Sequence, residues 1–325
     1  MRPSAPTPVL RGGSSPPPQA GEGQGGGPMP DFEWRFTLVL LTNGVMIGLM
    51  YALIALGFVL IYKATDAINF AQGEFVMFAG FIAAGAAGLV GFWVSALLAV
   101  AGMVALGFGL ERIVLRPLIG RPVIAVVMAT IGLAAVLRGF ATLVFGAGNR
   151  SIDMPVPDEP LNLGPVMIPP VQLVGAGVSL VFLAIFTWFF LKTRIGIAMR
   201  AVADGQQVAM AMGIDVRRYF ALAWAMAGVV SALGGVVWGA MLSVDNQLAL
   251  VGLKVFPVVI LGGLDSVIGA VVGGLIVGVV ENLAAGYFDP YVGGGTKDFV
   301  PYILMIAALM IRPEGMFGRR RIERV

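Results

Sequence analysis

The sequence predicts an all-α fold, a polytopic transmembrane helical bundle of about eight to nine crossings that includes one short or broken helix. Three observations carry this. The chain is 58% hydrophobic and only 12% charged, where a soluble domain holds about 25% charge. Its apolar residues come in blocks, several of them reaching the about 20 residues that cross a bilayer core of roughly 30 Å. Between the blocks there is no stretch that would build a soluble domain.

Composition also excludes chemistry. Cys and His are both absent. No disulfide, thiolate metal site or Ser–His arrangement is available, and no side chain titrates near neutrality unperturbed. Neither a catalytic site nor a cofactor or metal site is expected. The net charge of +3 gives no reason to expect a nucleic-acid partner. Something crossing a membrane is the natural subject of the function.

Taken in order, the chain opens with a tract in which Pro and Gly make up half of the first 30 residues. Such a tract cannot bury a core, and it lacks the apolar segment of a signal peptide. Residues 1–35 are expected to form a disordered tail, or else the true start is Met29. Residues 36–318 form the membrane domain and 319–325 a basic cytoplasmic tail. The blocks are Leu38–Tyr62, Phe75–Val90, Phe92–Leu115, Val123–Phe145, Val171–Leu191, Tyr219–Leu242, Val267–Tyr287 and Phe299–Ile311. Basic residues mark cytoplasmic loops. Arg112, Arg116 and Arg121 do so after the third block. Lys192, Arg194, Arg200, Arg217 and Arg218 do so in loop 192–218, and Arg312, Arg319, Arg320, Arg321 and Arg324 at the C-terminus. The proline-rich, acidic loop 146–170 faces outside.

Alternation of sides requires an even number of crossings between Arg218 and Arg312, yet only three blocks lie there. The missing one is Leu248–Leu261, short and interrupted by Lys254 and Pro257. Irregular backbone at membrane depth requires a covering of protein or a wet cavity. The count places the N-terminus outside. Small-residue pairs at four-residue spacing (Gly44/Gly48, Gly235/Gly239, Gly269/Gly273, Gly274/Gly278) are read as close helix-packing faces.

Three segments carry functional information. The first, Asp66–Phe75, places Asn69, Gln72 and Glu74 beside membrane spans. It is either an interfacial turn or a helix N-terminus opening on a translocation path, where the helix dipole would favour a substrate carboxylate. The second, Thr193–Asp215, reads as a short amphipathic helix with Ile197, Ala201, Val208 and Met212 on its apolar side. Arg200 and Asp204 are spaced to pair. Such a helix rests on lipid or docks into a groove of another subunit. The third, Gly252–Gly274 followed by Glu281, breaks its apolar run with Gly262, Gly263 and Gly269. Lys254 is expected to snorkel to the headgroups. Polar residues at interruptions make Asn69, Gln72, Glu74, Asn246, Gln247 and Glu281 the candidates for the path. Arg138, inside the fourth block, has Glu281 or Glu111 as conceivable partners.

The run Gly48–Gly57 through Asn69-Phe-Ala-Gln-Gly-Glu74 resembles the start of branched-chain amino acid ABC transporter permeases of the LivH type. The loop carrying Gly196, Arg200, Ala201, Asp204, Ala209 and Gly213 is similar to that family's ATPase-coupling segment. Gly252-Leu-Lys-Val-Phe256, Gly262-Gly263, Gly269-Ala270, Gly273-Gly274 and Glu281 are similar to its final block. Together they cover most of 44–318 in the family's order. The family usually has His where Gln72 stands, which argues against a role there that needs a protonatable ring. The resemblance implies a type II importer-like permease in the cell inner membrane, working with a second homologous permease, two ATP-binding subunits and a periplasmic solute-binding protein. It implies import of branched-chain or other hydrophobic amino acids. The chain has no G-x-x-x-x-G-K-[ST] phosphate loop, so the ATPase would be on a partner.

Other readings stay open on the sequence. The same machinery carrying urea or short amides is one. An ion-coupled secondary transporter with Glu74, Lys254 and Glu281 in its path is another. A non-transporting membrane scaffold would leave the broken helix and the charged interruptions without a purpose.

Overall fold

In the computed structural model the described residues are 30–157, 159–164 and 166–318. Of the tail expected over 1–35, residues 1–29 lie outside them, as does the basic tail 319–325, but 30–35 form the start of the first helix rather than part of a tail. The long helices are α1 (Pro30–Thr65), α2 (Gln72–Val90), α3 (Phe92–Leu110), α4 (Val123–Phe145) and α5 (Pro170–Lys192). Helix α3 runs on through a π turn, Glu111–Leu115, and a 3-10 turn, Arg116–Leu118. The short helices α6 (Arg194–Asp204) and α7 (Gln206–Ala211) precede α8 (Val216–Leu242), α9 (Leu250–Gly262), α10 (Val267–Val292) and α11 (Thr296–Ile311). By length and composition, α1, α2, α3, α4, α5, α8 and α10 are able to cross a membrane. The shorter α9 lies where alternation of sides asked for an additional crossing. At 13 residues it is about 20 Å long, shorter than a bilayer core, and the apolar segment continues back through the irregular stretch to Asn246.

The expected outer loop contains more order than its prolines suggest. Strands β1 (Leu161–Leu163) and β2 (Val166–Ile168) form a small antiparallel hairpin. Ile168 anchors it by packing with Met46 and Ala176.

Lipid is as apolar as a leucine side chain, so helices in it associate through close packing rather than hydrophobic drive. The glycine pairs provide that packing. Helix α1 packs most extensively on α10. A Cβ added at Gly278 would lie 2.5 Å from Gly44 O and 2.5 Å from Gly48 Cα, and one at Gly48 would lie 2.7 Å from Gly274 O. The two backbones therefore touch. Gly235 meets α2 in the same way, with an added Cβ 2.8 Å from Gly80 N, and Gly107 of α3 lies against the Trp224 carbonyl of α8.

The basic linkers collect at one end of the bundle. There Gln206 Nε2 donates to Ala64 O at 3.2 Å, and Leu118 and Arg121 share a cleft with Thr65, Gln206 and Phe220. The segment after α11 closes on the same end, where Met316 and Phe317 N–H donate to the Leu261 and Gly262 carbonyls at 2.9 and 3.1 Å. Those bonds satisfy the last carbonyls of α9.

Candidate functional site

Two helices begin inside the bundle. Helix α1 ends at Thr65, and the chain turns back at Asp66, which has φ +54°. It re-enters the protein before α2 starts. The irregular stretch is held by side chains. The Asn69 side-chain oxygen accepts from Ala71 N–H at 3.1 Å. Thr130 Oγ1 of α4 accepts from Phe70 N–H at 3.2 Å and donates within the same neighbourhood, to Val127 O at 2.8 Å. Gln72 Nε2 donates to Ser231 Oγ at 2.9 Å, and Ser231 stands about halfway along α8. This is how non-helical backbone becomes tolerable at membrane depth.

From the opposite end, Val244 exchanges backbone hydrogen bonds with Arg150 at 2.7 and 3.0 Å. Asp245 Oδ1 then accepts from Gln247 and Leu248 N–H at 2.9 and 3.2 Å, turning the chain into a 3-10 turn, Asn246–Ala249, and so into α9. Gly252 lies directly on Gly73, and a Cβ there would stand 2.7 Å from Gly73 N. The first turns of α2 and α9 therefore abut within the bundle.

The structure divides the expected path residues among separate places. Asn69 and Gln72 are fully buried in the sealed junction just described. Glu74 and Asn246 share a groove of about 530 Å³ with Ile131, Ala134, Ala135, Arg138, Gly139 and Thr142. Gln247 is exposed beside it. Glu281 is buried between α10 and α1, where Tyr51 Oη donates to its Oε1 at 3.3 Å, and Tyr51 stacks on Trp238 with ring centroids 5.3 Å apart.

Charges found partners that spacing along the chain did not reveal. Arg138 pairs with Glu74, Nη2 to Oε1 at 2.5 Å, rather than with Glu281 or Glu111. Glu111 instead takes Arg116 at 2.9 Å. Lys254, expected to snorkel, reaches Asp298 of α11 at 2.7 Å. For the buried carboxylates of Glu74 and Glu111 an opposite charge offsets the cost of burial, whereas Lys254 and Asp298 pair in the open.

The basic loop 192–218 is two helices, broken at Gly205. Thr193 Oγ1 caps α6 by accepting from Gly196 N–H at 3.1 Å, and Asp215 caps α8 through Arg217 N–H at 3.1 Å. The face that packs inward is Gly196, Met199, Val202 and Ala209. The apolar side read from the sequence is turned away from the bundle: Ile197 is 52%, Val208 69% and Met212 77% exposed. Ala201 is half-buried. Arg200, spaced to pair with Asp204, donates to Leu191 O at 3.2 Å and sits over the Phe190 ring at the end of α5. Asp204 lines a cleft of about 620 Å³ with Lys63, Asp66, Asp265 and Glu314. Gly213 has φ +81° and open space where a Cβ would be.

The family described as "Branched-chain amino acid transport system / permease component" matches residues 40–309. The chain belongs to this family. It is 30% identical over 312 residues to the high-affinity branched-chain amino acid transport system permease protein LivH of Salmonella typhimurium, covering 90% of this chain and 99% of that protein. It is also 27% identical to the ribose import permease protein RbsC of Escherichia coli, over 76% of this chain and 78% of that one. A solved structure, PsaBC from Streptococcus pneumoniae in complex with Fab, is similar at a TM-score of 0.46 and 14% identity, covering 86% of this chain and 94% of that chain, too slight a likeness to argue from.

The chain is thus a multi-pass membrane permease of an ABC importer, a class that works with ATP-binding and substrate-binding components. Several residues of the permease had no signal in the sequence. Thr130, Ser231 and Thr142 are polar side chains within apolar helices, and only contacts between helices give them a role. Arg138 was visible as a charge in a span but not its partner.

Proposed function

We propose that this permease carries branched-chain or similar apolar amino acids across the inner membrane, driven by ATP hydrolysis on partner subunits. In this reading it pairs with a second homologous permease, binds two ATP-binding subunits, and receives solute from a periplasmic binding protein. The observation that carries the reading is the surface of α6 and α7. Ile197, Val208, Met210 and Met212 project from the basic end of the bundle while Met199, Val202 and Ala209 hold the same helices to it. An exposed apolar set on a helix that is firmly attached suits a groove on a soluble partner. Movement imposed there passes through the cap at Thr193 into α5 and through the cap at Asp215 into α8.

The similarity to a ribose permease supports the machine more than the cargo, so the cargo is what the experiment tests. Uptake of labelled leucine and labelled urea is compared in cells with and without the gene, before and after ATP depletion. Leucine uptake that requires both the gene and ATP is expected. Gene-dependent urea uptake would keep the machine and change the cargo. Uptake that persists without ATP, on an ion gradient alone, would replace the proposal with a secondary transporter.

A further inference from the structure

We infer that the Glu74–Arg138 groove is a subsite for a zwitterion, the α-ammonium and α-carboxylate of an amino acid whose side chain is apolar. This rests on the importer reading above and names what the path recognises.

One face of α4 builds the groove. Ile131, Ala134, Ala135, Arg138, Gly139 and Thr142 recur at helical spacing, while Val126, Thr130, Leu133, Leu137 and Ala141 form a different face that packs inward. Across the groove stand Glu74, in the first turn of α2, and Asn246, at the interruption before α9. The polar groups converge. Arg138 Nη2 meets Glu74 Oε1 at 2.5 Å, and Asn246 Nδ2 donates to Thr142 Oγ1 at 3.1 Å. The remaining oxygen of Asn246, Oδ1, is buried with no partner among the described residues. A buried acceptor without a donor is costly by about 1–3 kcal/mol, and rotation of the Asn246 amide toward the groove would offer this oxygen to an ammonium group.

Two features fit a zwitterion better than a singly charged or a neutral solute. The pair is unequally covered: the Glu74 side chain is 7% exposed, that of Arg138 49%. Glu74 is fixed, while Arg138 has guanidinium N–H groups to spare on its open side, in a geometry suited to a carboxylate. The pair is also neutral when empty, which a site at membrane depth requires. A zwitterion inserted beside it keeps the total neutral and gives each charge an opposite neighbour. An anionic or cationic solute would leave a net charge there, and urea, though able to hydrogen-bond to both groups, would bring an opposite charge to neither. Ile131, Ala134 and Ala135 offer an apolar wall to the side chain.

The test uses the full transporter with its binding protein in proteoliposomes. It compares leucine uptake with the ATPase activity stimulated by the loaded binding protein. The double variant Glu74→Gln/Arg138→Gln removes both charges without leaving either unpaired. A loss of leucine uptake of about tenfold or more, with stimulated ATPase retained, is expected. Uptake at the wild-type rate would show that the pair is only structural and overturn the subsite. Should that variant not assemble, Gly139 gives a second route, because nothing lies within 4 Å of a Cβ built there. The series Gly139→Ala, Gly139→Val, Gly139→Leu fills the groove without touching the charges, and uptake is expected to fall with added volume. An unchanged rate across the series would overturn the proposal. A wild-type complex that imports urea rather than leucine overturns the zwitterion but leaves the importer standing. A wild-type complex with no ATP-dependent uptake of either refutes the importer reading, and the subsite with it.

Discussion

The seam between α1 and α10 and the groove beside α4 are both built at membrane depth, on opposite principles. In the seam, Gly44, Gly48, Gly274 and Gly278 bring two backbones into contact, and the absence of side chains is what holds the helices together. In the groove, Arg138, Glu74, Thr142 and Asn246 keep long polar side chains on the margin of the bundle, where α4 rests mainly on α2. The seam has no room to change, and the groove has room for something to enter. Rigidity and function are thus assigned to different helices, and substitutions should separate them.

The largest effect is expected in the seam. Gly278→Leu places a branched side chain where a Cβ alone would be 2.5 Å from Gly44 O. Overpacking of a tight core costs about 1–3 kcal/mol and sometimes more, and here both neighbours are backbone with no rotamer to yield. The expected outcome is loss of monodisperse protein from detergent extracts. A variant that purifies and melts like the wild type would mean that the seam separates easily, and the contrast with the groove would disappear.

Next comes an asymmetry inside the groove. Arg138→Ala strands Glu74, which is buried, whereas Glu74→Ala strands Arg138, which is half-exposed and able to turn toward water or headgroups. Breaking a buried pair costs about 3–5 kcal/mol, and partial exposure discounts that figure. Arg138→Ala should therefore lower the melting temperature more than Glu74→Ala does, while both reduce uptake. Equal melting temperatures would place Glu74 in a wetter setting than the structure gives it.

These two regions were unequally legible in the sequence. The seam was readable because small residues four apart define a helix face whatever the partner, and the spans were readable because hydrocarbon imposes length and composition. The short helical segment at 248–261 was sought by counting sides, and the structure has a 3-10 turn and the 13-residue α9 there, continuous through Pro257. The groove was not readable as a site. Glu74 and Asn246 were chosen for polarity at interruptions, but their junction with Arg138 and Thr142 joins three separate helical regions, and no periodicity within one helix encodes that. The loop 192–218 was legible in part. Its apolar residues were seen as a surface for lipid or another subunit, and Ile197, Val208 and Met212 do point away from the bundle. The set that packs inward, Gly196, Met199 and Val202, was not seen, because small residues and a single methionine carry little amphipathic signal.

A smaller effect is expected at the sealed junction. Ser231→Ala removes the acceptor of the 2.9 Å bond from Gln72 Nε2 and leaves that donor buried. The cost is about 1–3 kcal/mol, read as a modest fall in melting temperature. Because Asn69 Nδ2 already donates to the Gln72 side-chain oxygen at 3.4 Å, Gln72 stays oriented and the loss should fall toward the low end. Uptake should follow the stability and not collapse as it does in the groove. A selective loss of uptake at full stability would move Gln72 from the scaffold to the path.

The smallest stability change is expected at Gly213, which sharpens the comparison because the residue type is the same as in the seam. An added Cβ there meets nothing within 4 Å, and only the left-handed φ of +81° objects to it. Gly213→Ala should thus cost about 1 kcal/mol, and the protein should still assemble. Gly213 stands between α7 and α8, next to exposed Met212, so bending the backbone there shifts the docking surface against the span it drives. ATP hydrolysis should continue while leucine uptake per ATP falls, as it should when Arg200→Ala frees α6 from the end of α5. If both variants keep wild-type uptake per ATP, the loop transmits nothing. The exposed face of α6 and α7 would then need another occupant, for which the membrane surface is the natural candidate.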